Sequence, residues 1–167
     1  MLVNQFGWSR DRCGRRMPDD MEFMDIRRGS DLEFGQSIYE PFGIAQVEPL
    51  SFGALCVISN VCGCAGFIGQ VAPPDQRNVI IADYTTLPPG VADGGCQAAL
   101  GIGRAQRDEI EAASARRVAA EIMARLPRTS KAMAQMIKEG YRISRKMSWE
   151  VVVADYLLPG LKRADTD

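Results

Sequence analysis

The stretch Ser37-Ile-Tyr-Glu-Pro-Phe-Gly-Ile-Ala-Gln-Val-Glu-Pro-Leu-Ser-Phe-Gly53 decides how this chain folds. An apolar alternation over residues 32–37 leads into it and reads as a short strand. A Pro-Phe-Gly turn follows Glu40, then a short apolar helix ending near Gly53. The next run, Leu55-Cys-Val-Ile-Ser59, is a buried strand. Strand, turn, helix and strand in this order predict a compact parallel α/β unit. The turn then sits at the carboxyl end of the first strand, where open α/β sheets hold their ligands.

Two carboxylates, Glu40 and Glu48, stand in this stretch with seven residues between them. The first helical amides, near Gly43, Ile44 and Ala45, lack intrahelical partners and carry partial positive charge. They suit a phosphate oxygen. Gly43 lets a ligand approach the backbone closely. A carboxylate just before the turn repels phosphate, so its partners are hydroxyls, which donate to an ionised acid. Glu48 accepts from hydroxyls in the same way. Two hydroxyl acceptors around a phosphate cradle describe a nucleotide sugar. Each acid also has a plain structural reading: Glu40 as an electrostatic helix cap, Glu48 as a solvated helix residue. Pro49, directly after Glu48, removes a hydrogen bond and is tolerable only if the helix begins near Ala45 or later.

These residues resemble a signature of the GT-B retaining glycosyltransferases, above all the glycogen and starch synthases. That signature is Ser-x-x-Glu-Pro-Phe-Gly with a second Glu eight positions after the first. Ser37, Glu40, Pro41, Phe42, Gly43 and Glu48 match it. The likeness runs from roughly Gly29 to Ile68, including Gly53 and the small-residue turn Cys62-Gly-Cys-Ala-Gly66. It implies a Rossmann-like parallel sheet flanked by helices, part of a carboxyl-terminal, donor-binding domain. It also implies that Glu40 is catalytic, touching the donor sugar, and that Glu48 meets the ribose hydroxyls. Ser37, Phe42, Gly43, Ile44 and Gly63 would complete the donor site. The implied reaction transfers a sugar from a UDP- or ADP-sugar to a glucan or glycoside acceptor with retention, without metal or cofactor. The family's Arg and Lys for the diphosphate lie in a segment with no match here, and its amino-terminal acceptor domain is missing. The chain is therefore expected to be a piece of such an enzyme, inactive alone. A non-catalytic nucleotide- or glycan-binding regulatory module is the alternative, and a layered domain with two structural glutamates a third.

The bulk of the chain is ordinary for a globular domain: 167 residues, 46% apolar and 25% charged. Residues 1–103 read as the parallel core and residues 104–167 as carboxyl-terminal helices of the same domain. A net charge of −1 argues for neither nucleic acid nor a membrane surface as partner. The complete absence of histidine excludes Ser-His-Asp and Cys-His catalysis and imidazole-built zinc sites. Five cysteines without a secretory signal read as reduced thiols in a cytoplasm.

The remaining elements follow from pattern. Residues 2–6 read as a strand and the basic loop of Arg10, Arg12, Arg15 and Arg16 as solvated. Residues 18–28 predict a helix opened by Pro and acids and closed by Gly29. Residues 78–84 predict a further buried strand, residues 85–103 a loop with a flexible Gly101-Ile-Gly103 linker. Ile110, Val118, Ile122 and Leu126 recur at helical spacing, predicting a helix over 104–126 that Pro127 ends. Ser130 is expected to cap a second helix, reaching Ile143 with Met133, Met136 and Ile137 inward. The tail from Ser148 predicts a helix that Pro159 kinks or ends, with part of its apolar surface exposed.

Overall fold

The computed structural model describes residues 18–35 and 37–164. The predicted strand at 2–6 and the basic loop of Arg10 to Arg16 lie outside them. The described elements begin with α1 (Phe23–Arg28), β1 (Leu32–Phe34), α2 (Ile44–Val47) and a 3-10 turn, Glu48–Phe52. There follow β2 (Leu55–Ser59), α3 (Gly63–Val71) and β3 (Val79–Ala82). Two short helices, α4 (Pro89–Ala92) and α5 (Gly95–Leu100), lead to the long α6 (Arg104–Arg125) and α7 (Ser130–Ser144). The chain closes through α8 (Trp149–Val152), a π-helical turn Val153–Leu157 and α9 (Leu158–Ala164).

The three strands form one parallel sheet in the order β1-β2-β3. Chain order and spatial order coincide, so these strands contain no reversal of direction across the sheet. Every residue of β2 is buried, as a central strand covered on both faces must be. Its alternation sorts the core into two halves. Cys56 and Ile58 join Val47, Leu50, Ile68 and Ile143 on the face covered by α2, the 3-10 turn, α3 and the carboxyl-terminal end of α7. Leu55 and Val57 join Ile80, Val118 and Met136 on the face covered by α6 and α7. The fold is therefore α/β, with a three-stranded parallel sheet flanked by helices on both faces.

Several boundaries differ from expectation for local reasons. The first helix starts at Phe23, not near Pro18, because Glu22 and Asp25 form a reciprocal capping box there. β1 stops at Phe34; beyond it the Gly35 amide still donates to the Val57 carbonyl at 2.7 Å, and Ser59 Oγ donates to the Ile38 carbonyl at 2.5 Å. Residues 85–103 contain helices instead of a single loop. Pro89 opens α4 at a position where its missing N–H is no loss, and Gly101 and Gly103 cap α5 and α6 rather than act as a linker. Thr129, not Ser130, caps α7, its hydroxyl accepting from the Ala132 amide at 3.1 Å. Ile137, expected inward, stays 45% exposed.

The tail is helical, and Pro159 does not end it. Pro159 has no N–H for the Asp155 carbonyl. The preceding turn widens to π geometry, with the Leu158 amide bonding Val153. Trp149 and Tyr156 on this tail are 79% and 58% exposed.

Packing of α7 across the 3-10 turn depends on two glycines. Gly53 holds φ of 85°, and a Cβ there would stand 2.7 Å from the Ile137 Cα. A Cβ on Gly140 would overlap the Leu50 carbonyl oxygen. The buried Asn78 amide completes the joint, donating to the Met136 carbonyl at 3.0 Å.

Candidate functional site at the carboxyl end of the sheet

The Glu40 turn leaves the carboxyl end of β1 and docks on the start of α3. The Gly63 amide donates to the Glu40 carbonyl at 3.2 Å and the Cys64 amide to the Phe42 carbonyl at 2.8 Å. A Cβ on Gly63 would overlap the Pro41 carbonyl oxygen, so this approach requires glycine. The opening amides of α3 thus anchor the turn. Phe42 is half-buried, its ring 5.8 Å from Phe67 and tilted 59°, which fixes the turn from its apolar side. Its side chain belongs to the core, leaving only its backbone near the surface.

Ser37 Oγ donates to Glu40 Oε1 at 3.1 Å, which orients the carboxylate while its second oxygen stays without a partner among the described residues. Gly43 caps α2 in the left-handed region at φ 87°, a conformation that favours glycine. Ile44 is 67% exposed, so the tip of α2 lies open at the surface. The expected site residues Ser37, Glu40, Gly43 and Ile44 are therefore consecutive parts of one exposed turn, and Gly63 supports it from beneath.

Glu48 has different company. α2 runs for a single turn, and Glu48 opens the 3-10 segment in which Pro49 takes the second position. This is how the chain accommodates that proline. The Glu48 Oε2 accepts from Arg27 Nη1, and Arg27 Nε lies 3.7 Å from Glu33 Oε2. Arg27 is buried, and its Nη2 also reaches the Ala45 carbonyl at 3.4 Å. Burial pushes the Glu33 carboxyl above its ordinary range; Arg27 opposes that shift and Glu48 adds to it. Glu33 Oε1 is buried without a hydrogen-bond partner among the described residues. Arg27 and Glu33 were not singled out by sequence. Their only signal was a charged residue inside an apolar strand and a basic residue closing a helix.

At the neighbouring strand ends, Asn60 and Asp83 join β2 to β3. Asn60 Nδ2 donates to Asp83 Oδ1 at 2.9 Å, and the Thr85 and Thr86 amides donate to the same oxygen at 3.0 Å each. The Thr86 side chain and these amides hold the Asp83 carboxyl well below its ordinary range. Cys62 and Cys64 flank Gly63 but are buried, and burial pushes the Cys64 thiol up to about 11. A thiol in that state is a packing group, not a nucleophile or ligand.

Chemically, the outer oxygen of Glu40 is an acceptor for a hydroxyl, and the left-handed Gly43 leaves the adjoining backbone without a side chain. Comparison of the chain with family models, curated proteins and solved structures gives no match. Among the described residues no helix is long and apolar enough to cross a membrane.

Proposed function

We propose that this chain is the donor-binding part of a retaining glycosyltransferase of the GT-B, glycogen synthase-like class. It takes a UDP- or ADP-sugar and serves a glucan or glycoside acceptor held by a separate acceptor domain. The observation that carries this reading is the Glu40 carboxylate, oriented by Ser37, at the carboxyl end of a parallel sheet and beside the left-handed Gly43 turn.

In this reading the outer oxygen of Glu40 accepts from a hexose hydroxyl, and the backbone at Gly43 and Ile44 faces the diphosphate. Glu48 keeps Oε2 on Arg27 and offers Oε1 to the ribose. The acceptor hydroxyl oxygen bonds to the anomeric carbon on the face from which the diphosphate departs, as the bond from that carbon to the diphosphate breaks. The nucleotide diphosphate leaves with the electron pair and takes up the proton of the acceptor hydroxyl. Backbone dipoles supply part of its stabilisation; cations from elsewhere supply the rest.

Calorimetric titration of the chain with ADP-glucose, UDP-glucose, ADP and UDP tests the site. One nucleotide sugar should bind more tightly than its nucleotide. Glu40→Gln should weaken that sugar's binding by about tenfold, the value of one hydrogen bond to a charged group. Equal binding of sugar and nucleotide, unchanged by Glu40→Gln, would discard the reading. The pairing of Glu48 with Arg27 favours a second reading, a binding module without transfer. Sugar-nucleotide binding with no nucleotide diphosphate released from UDP-glucose or ADP-glucose in the presence of glycogen, even with an acceptor domain supplied, would select it.

A further inference from the structure

Among the described residues, a strongly one-sided run of charge lies far from Glu40 in sequence, on α7 and the turn after it. Residues 130–148 hold five basic side chains and one acid, within a chain of net charge −1. Lys138, Arg142, Arg145 and Lys146 line a cavity of about 670 Å³, with Tyr141 and Val151 as its apolar parts. All four cations are exposed, and none forms an ion pair among the described residues. Arg145 senses Glu150 electrostatically, and Glu139 is bonded to Gln135 at 2.6 Å.

A second hollow, of about 270 Å³, continues this one. The two share Gln135 and Glu139 in their walls. The second adds Arg77, Arg125 and Arg128 at the amino-terminal end of α7. Together they form a trough along α7, a helix of 15 residues and hence about 20 Å long. Lys138, Arg142 and Arg145 are three and four residues apart, which places them in one row on the helix surface. Like charges in a row repel one another, so the arrangement raises the energy of the empty surface. An anion that spans the row removes that repulsion and releases its own counterions.

The trough is open along its length; Lys138, Arg142, Arg145 and Lys146 are its exposed cations, whereas Arg125 is paired with Glu121 and bonded to the Val79 carbonyl at 2.7 Å. Such a surface suits a chain-like anion held by successive charges, not a small molecule enclosed in a socket. We propose that it binds an extended phosphate polyanion, with inorganic polyphosphate as the simplest representative. The site is distinct from the Glu40 turn and does not depend on a glycosyltransferase activity.

The test is fluorescence anisotropy of end-labelled, short-chain inorganic polyphosphate with the whole chain over a salt series. Affinity should fall linearly on a log–log plot against salt. Lys138→Ala with Arg142→Ala should weaken binding by roughly tenfold or more and lower the salt slope by about two. Arg104→Ala with Arg107→Ala, exposed cations on α6 outside the trough, should leave both unchanged. Circular dichroism checks that the variants, altered only at exposed positions, stay folded. Three results would overturn the proposal: no binding at low salt, equal losses in the two double variants, or inorganic phosphate binding as tightly as the polymer. A fourth is single-stranded RNA of matched charge bound far more tightly, with the preference lost in Tyr141→Ala; that would assign the trough to stacked bases instead.

Discussion

Gly63 carries a structural duty that its place in a small-residue turn only partly announces. Its lack of a side chain admits the Pro41 carbonyl, and its amide holds the carbonyl of Glu40. Gly63→Ala would force the turn away from α3. We expect a loss of about 1–3 kcal/mol in thermal unfolding, the usual consequence of an overpacked contact. Donor affinity should fall with it, because Glu40 would lose the position that Ser37 and the α3 amides give it. Unchanged stability in Gly63→Ala would show that the turn does not rest on α3. Glu48 shows the limit of reading one residue at a time. Its spacing from Glu40 was visible in sequence, but the arginine that holds its carboxylate lies 21 residues earlier.

At the scale of elements, the joint between α7 and the 3-10 turn fixes how the carboxyl-terminal helices meet the sheet. Gly140→Ala places a methyl group against the Leu50 carbonyl, where backbone and not a flexible side chain must yield. The expected outcome is a loss in urea unfolding larger than helix propensity alone gives back, since alanine would gain about 1 kcal/mol at an unconstrained helical site. An increase in stability would mean that α7 does not sit this close. The elements that sequence identified well are those with repeated local signals: the apolar run of β2 and the periodic face of α6. The short helices α4 and α5 were missed because a proline and glycines dominate the local pattern, although both residue types suit helix ends. The π turn before Pro159 was also unreadable, since it answers a hydrogen-bonding gap by a change of winding rather than a break.

At the scale of the molecule, the ionic cluster of Arg27, Glu33 and Glu48 ties stability to pH. The folded-state pKa of Glu33 is raised above its ordinary 4.5. Its stabilising contribution is therefore full below that value and is lost as pH rises through the raised one. Glu33→Gln removes this loss. The melting temperature of the variant relative to the parent should rise as pH increases above the ordinary carboxylate value of 4.5. A difference independent of pH would show that Glu33 titrates normally. Asp83 acts in the opposite sense, its contribution being lost as pH falls below the ordinary carboxylate range.

Local order was written in the chain itself. The parallel α/β class, the central strand, the long helices and the exposed Glu40 turn all follow from hydrophobic period, proline and glycine, which act over a few neighbouring residues. Tertiary structure decided which distant groups meet. It gave Glu48 to Arg27, placed Glu33 half-buried beside them, set Gly140 against Leu50 and lined up the cations of α7 with those of the α6–α7 junction. Such contacts depend on how layers pack and where burial removes water, and no short-range pattern encodes either.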